Sequence, residues 1–206
     1  MRALFFCFVL ALFAIGCQRP PKYPDAPTIK FESITSTPIV DTSGTISTNV
    51  EIQISFSDGT GDLGLTQEDT VGIYRNILDS IKTDKKYFKF NRNSKNYWTD
   101  SYVKRDGKYI LLKAPEEYLA NSLDFYLNDD RFRPFNDQYL SNNTPIEGLL
   151  NYKFNIGAVL NSSTITVEPE LVDGDTMKFE VRILDRKLNI SNTITTPDVV
   201  ISLFLK

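Results

Sequence analysis

Val50, Ile52, Ile54 and Phe56 alternate with Glu51, Gln53 and Ser55. A period of two belongs to a strand with one face in a core and the other in water, because successive side chains point to opposite faces. The alternation returns at Leu150, Tyr152, Phe154 and Ile156, at Met177, Phe179, Val181 and Ile183, and at Val199, Ile201, Leu203 and Leu205. Ile29, Phe31 and Ser33 open a weaker strand. Residues 87–90, 97–103 and 109–113 also read as strands, the last two joined by an Arg105-Asp106-Gly107 turn, since Asp-Gly favours tight hairpins. Residues 66–82 and 115–124 each read as a short helix, with Pro115-Glu116-Glu117 suited to a first turn, and 128–136 as loop. Many short strands broken by turn residues predict a mainly all-β chain, an immunoglobulin-like antiparallel β-sandwich over residues 28–206 with an elaborated middle. Residues 70–145 are a candidate insertion within it.

The N-terminus points to a compartment. Arg2 precedes an apolar run from Ala3 to Ile15, too short for the ~20 residues that cross a bilayer and flanked as a secretory signal is. Ala14-Ile15-Gly16-Cys17 closes it, so residues 1–16 read as a lipoprotein signal peptide and Cys17 as the lipid anchor. Ala14 and Ile15 depart from the commonest residues of such a lipobox. The other cysteine, Cys7, lies inside the removed run, which leaves Cys17 no disulfide partner. Prolines 20, 21, 24 and 27 make residues 17–27 an extended tether of ~3.1 Å per residue. Arg2 leaves with the signal, so 22 basic residues face 26 acidic ones, a net of −4 that gives no footprint for nucleic acid.

Asp58-Gly-Thr-Gly-Asp62-Leu-Gly64 follows the first clear strand directly. Laid on the EF-hand pattern it fails: Leu63 stands where glycine is needed and Asp69 where a bidentate glutamate is. If residues 50–56 are the second strand of a sandwich and 177–184 the penultimate one, the loops leaving them emerge at one pole. Asp58, Asp62, Asp185 and Asn189 would then meet around one Ca²⁺. The simpler alternative is that both loops are corners, since glycine supplies positive φ and Asx side chains bond their own backbone. The corner reading is favoured because Asp and Gly populate turns in any case.

Residues 56–64 read Phe-x-Asp-Gly-x-Gly-Asp-Leu-Gly, and residues 183–197 read Ile-Leu-Asp-Arg-x-Leu-Asn-x-Ser-Asn-Thr-Ile-x-Thr-Pro. Together with the lipobox, these stretches resemble a group of uncharacterised lipoproteins from Bacteroidota. The resemblance covers the two ends of the chain and hardly touches residues 70–145. It implies an exported immunoglobulin-like domain tethered to the outer membrane and carries no known activity. Surface-exported members tend to be acidic just after the cysteine, and Gln18-Arg19 is not, which points to the periplasmic side.

The chain has no histidine, so the commonest general base and any Ser-His or Cys-His nucleophile are excluded. Carboxylate chemistry would fall to Glu116-Glu117, Asp124 and Asp129-Asp130, which read more simply as solvated loop. Tyr87, Tyr97, Trp98 and Tyr102 lie among Asn91, Asn93 and Asn96, a composition that suits a glycan-binding module with Trp98 as platform. Aromatics in strands more often fill the core, and adjacent Tyr97 and Trp98 must face opposite ways. The first expectation is therefore an outer-membrane lipoprotein that acts as a structural or protein-interaction module without catalysis, its partners the membrane and an outer-membrane protein. A glycan-binding lipoprotein of a polysaccharide-uptake system is the alternative.

Overall fold

The computed structural model describes residues 22–42, 44–66, 68–75, 77–82, 85–113, 130–134, 144–157, 167 and 169–203. Its strands are β1 (Thr28–Val40), β2 (Ile46–Asp58), β3 (Ile77–Lys82), β4 (Lys85–Phe90), β5 (Tyr97–Arg105), β6 (Lys108–Leu111), β7 (Ile146–Ile156), β8 (Thr176–Ile183), β9 (Ile194–Thr195) and β10 (Val199–Val200). One sheet runs β1-β2-β7; the other runs β10-β8-β5-β6, with β9 also on β8. Every pairing is antiparallel. The chain is thus an all-β, sandwich-like fold, with β1, β2 and β7 in one sheet and β6, β5, β8 and β9/β10 in the other. β3 and β4 form a separate hairpin inside the β2–β5 connection.

The alternating residues do what their period requires. Val50, Ile52 and Ile54 of β2 and Phe179, Val181 and Ile183 of β8 have no exposed surface and form one core with Tyr97, Val103 and Met177. Rings lock the two sheets together. Tyr97 of β5 lies 4.4 Å from Tyr152 of β7, and Phe154 of β7 meets Phe179 of β8 edge-on at 5.3 Å.

Two expectations are corrected. Among the described residues of 66–82 no α-helix forms: a 3₁₀ turn spans Gly72–Tyr74, and β3 follows. Ile77, Leu78 and Ile81 fit a helical face and a short strand equally, and pairing with β4 decides. The terminal strand is also shorter than Val199 to Leu205; ladder pairing covers Val199–Val200, although Ile201 and Leu203 remain buried. Just before it, Pro197 has no N–H to donate and splits β9 from β10. Thr196 carries the pairing over the break, its N–H donating to Phe179 O and its hydroxyl accepting from Phe179 N. At the end of the Pro-rich segment, Gly59 N–H donates to Pro24 O and the Tyr23 hydroxyl bonds Glu147. The expected helix at 115–124 lies outside the described residues, as do 128–129 and 135–136 of the expected loop; residues 131–134 carry no helix or strand.

Asn192, in the loop after β8, closes the first sheet's edge at that end. Its carboxamide accepts from Ile29 N at 2.8 Å and donates to Ile29 O at 2.9 Å, as a neighbouring strand would. Asn192→Ala removes both bonds and is expected to destabilise the protein by about 1–2 kcal/mol. Chemical denaturation measures it; an unchanged midpoint would show that water replaces the amide fully.

Candidate metal centre at the loop pole

β2 and β8 both end at the same pole, and the chain folds their loops together there. Leu63 bridges Asp185, and Arg186 N–H donates to Asp62 O at 3.2 Å. Three carboxylates are enclosed as a result. Asp58, Asp62 and Asp185 are 0%, 8% and 1% exposed, and an oxygen from each lies within 4.8 Å of the others.

Each carboxylate is also held by its own loop. Asp58 accepts from Asp62 N–H at 3.0 Å and from the Thr60 hydroxyl at 3.3 Å; that hydroxyl also contacts Asp62. Asp185 accepts from the backbone and side-chain N–H groups of Asn189, both at 2.7 Å. The corner geometry and the convergence are both present, and neither excludes the other. Asn189 stands behind Asp185 and orients it. The carboxylate set is therefore the three aspartates, with Asn189 as a positioning residue. Asp69 takes no part; its carboxylate receives both Arg186 nitrogens at 2.6 and 2.7 Å and Thr66 N–H at 2.6 Å.

The glycines have a use beyond corner-making. A Cβ on Gly61, which has φ +66°, would strike the Thr144 carbonyl; one on Gly64, at φ +104°, would strike Pro134. Gly59 lies against the Tyr23 and Pro24 carbonyl oxygens, each 2.5 Å from where its Cβ would be. The loop is thus threaded beneath three other stretches of backbone, which packs the aspartates away from water.

Burying three acids together has an electrostatic consequence. Burial, then the charge of Asp62, then that of Asp185, push the Asp58 carboxyl up to about 6. Burial likewise raises Asp185. Among the described residues, Lys187 forms the ion pair with the set, 3.9 Å from Asp62. One lysine cannot neutralise three carboxylates, so the cluster needs a bound proton or a cation. Hard carboxylate oxygens suit Ca²⁺ or Mg²⁺, and Ca²⁺ tolerates the irregular geometry of two meeting loops better. Asp58, Asp62 and Asp185 would hold the ion, with Thr60 beside them.

The aromatic candidates lie elsewhere. Tyr97 points into the core. Trp98, on the opposite face of β5, is 8% exposed, donates its indole N–H to Arg92 O and Lys95 O at 3.1 and 3.0 Å, and has the Arg92 guanidinium 4.6 Å from its ring centre. Arg182 reaches the ring from 5.7 Å, and both arginines pair with Asp100. A ring so covered offers no flat face to a sugar, which corrects the reading of Trp98 as a platform. Tyr102 bonds Glu180 at 3.1 Å on the same face. The side chain of Tyr87, along with Glu116, Glu117, Asp124 and Asp129, lies outside the described residues; Asp130 is half-buried and pairs by backbone with Tyr97.

Sequence reasoning placed Asp58, Asp62 and Asp185 at one pole. It missed the Arg186–Asp69 pair and the approach of Thr144 to Gly61, which join residues far apart in the chain and leave no local pattern. Set against protein-family models, curated proteins and solved structures, the chain matches none of them.

Proposed function

We propose that the chain is a lipoprotein of the bacterial outer membrane, acylated at Cys17 and facing the periplasm, and that it serves as a structural or protein-interaction module of the envelope without catalysing a reaction. The observation that carries this reading is a contact close to Cys17 in the chain: Gly59 N–H donates to Pro24 O, seven residues past Cys17, and clips Pro24 to one pole of the sandwich. A body held so close to a cysteine that ends an apolar leader is suited to hang by one end from a membrane. Ca²⁺ at Asp58, Asp62 and Asp185 would stiffen that pole. The aromatic face of β5 and β8 is engaged by its own arginines and lysines, which favours a protein module over the glycan-binding alternative.

The test is chemical. In a Gram-negative host given radiolabelled palmitate, the protein should incorporate label and partition into detergent. Its mass should exceed that of residues 17–206 by a diacylglyceryl group and an acyl chain, and Cys17→Ser should abolish all three. An unmodified Cys17 thiol on the exported chain would remove the anchor and this reading with it.

A further inference from the structure

We propose that the same loop pole rests on the bilayer, with Val71, Ile73 and Ile190 entering the headgroup region; the proposal rests on the lipid-anchor reading above. These three residues are exposed by 73%, 54% and 48%. They belong to the two connections that meet at the pole: Val71 and Ile73 flank and occupy the 3₁₀ turn after β2, and Ile190 lies in the loop after β8. The connections are pinned to each other. Tyr74 donates its hydroxyl to Arg186 O, and Asp69 takes the Arg186 fork. Apolar side chains on structured, adjoining turns cannot fold away into the core, so they stay displayed.

Reach decides what they are displayed to. Seven residue steps run from Cys17 to Pro24, which span at most about 25 Å when fully extended. Pro24 is held at Gly59, so the pole lies within that radius of the acylated residue. The opposite pole also exposes apolar side chains, Val40 by 62% and Val172 by 54%. It stands a full strand away, since β1 has 13 residues at about 3.3 Å each, or roughly 43 Å. The tether delivers one pole to the lipid and holds the other off.

Charge points the same way. The three aspartates are buried, with Asp62 showing 11% of its side chain, and Asp69 is neutralised by Arg186. The β3–β4 hairpin rises from this pole, because Asn91, just after β4, donates its side-chain amide to Ile73 O and Arg75 O. The hairpin's sequence, residues 77–90, carries Lys82, Lys85, Lys86 and Lys89 against Asp79 and Asp84, a net positive charge that suits anionic headgroups.

The full chain, processed in a Gram-negative host and reconstituted into phosphatidylethanolamine–phosphatidylglycerol vesicles, tests this. Ile73→Cys, Ile190→Cys and Lys108→Cys provide spin-label positions, the last at the exposed β5–β6 turn of the far pole. Acylated Cys17 does not compete for label. The oxygen-to-nickel-complex accessibility ratio is expected to be at least fivefold higher at 73 and 190 than at 108, while mass spectrometry of the same sample reports acylation. Ratios equal at all three positions in an acylated sample overturn the proposal and leave the anchor intact. A non-acylated Cys17 overturns both, because nothing then fixes the pole within reach of lipid.

Discussion

Replacing Gly61 by alanine should lower the melting midpoint by about 10 °C, whereas Gly72→Ala should lower it by about 4 °C. Both glycines have φ near +60°, so both substitutions carry the left-handed strain of roughly 1–2 kcal/mol. Only one meets an obstacle. No atom lies within 4 Å of a Cβ at Gly72, while one at Gly61 would run into the Thr144 carbonyl, which is backbone and cannot rotate aside. Overpacking a rigid site adds typically 1–3 kcal/mol, so Gly61→Ala totals about 3–4 kcal/mol. A chain of this length loses about 2–4 °C per kcal/mol. Thr144 sits two residues before β7, so the displaced loop would also strain the start of the strand whose Tyr152 and Phe154 lock the sheets. Calorimetry of the pair separates close approach from φ strain. Equal shifts would mean that the loop opens at Thr144 without penalty and that the threading is incidental.

How much of this could be read from the chain follows from which interactions are local. β2, β7 and β8 were legible because each alternates without interruption and has a core on one side only. β1 read as weak because its pattern changes phase. Phe31 pairs with Ile54 and Ser33 with Gln53, so Glu32 is an extra residue in a bulge, and the inward positions move from 29 and 31 to 34 and 36. A search for strict alternation loses the strand at that point, although it runs on to Val40. The Asp106-Gly107 turn was legible because positive φ at both positions, 50° and 77°, is what that pair supplies. The acidic site was legible only through topology. Nothing near Asp58 names Asp185 as its neighbour; placing 50–56 and 177–184 as the second and penultimate strands does. Trp98 misled because its surroundings are built by the 3₁₀ turn at Arg92–Ser94, which brings Arg92 over the ring. In sequence, asparagines beside an aromatic look the same whether they face a sugar or their own backbone; here Asn91 and Asn96 both bond main chain.

Calcium and acid should stabilise the protein by competing routes, and their pH dependences should oppose each other. In EDTA, the folded Asp58 takes up its proton at about 6, against 3.8 for an ordinary aspartate. A raised pKa means that the folded state binds protons more tightly than the unfolded one. Its contribution is therefore full below about 3.8 and is lost as pH rises through about 6. The limit is about 3 kcal/mol, and acidifying from pH 7.5 to 5 should recover about 1 kcal/mol of it, a rise of a few degrees in midpoint. Asp185, also raised, adds in the same direction. Asp69 acts oppositely: Arg186 holds it below the usual range, so its contribution disappears only under stronger acid, below about 3.8. A cation requires the carboxylates ionised. At pH 7.5, Ca²⁺ at 100 times its dissociation constant should add about 2.7 kcal/mol, and that gain should shrink as protons compete on the way to pH 5. The melting curves with calcium and with EDTA thus stand furthest apart at pH 7.5 and close on acidification. Asp58→Asn should abolish the calcium response and raise the midpoint in EDTA at pH 7.5, because it removes one of three mutually repelling charges and keeps an oxygen for Asp62 N–H. If the midpoint at pH 7.5 is the same with and without calcium, but still climbs toward pH 5, the pole is neutralised by a shared proton and the aspartates serve only as its corners.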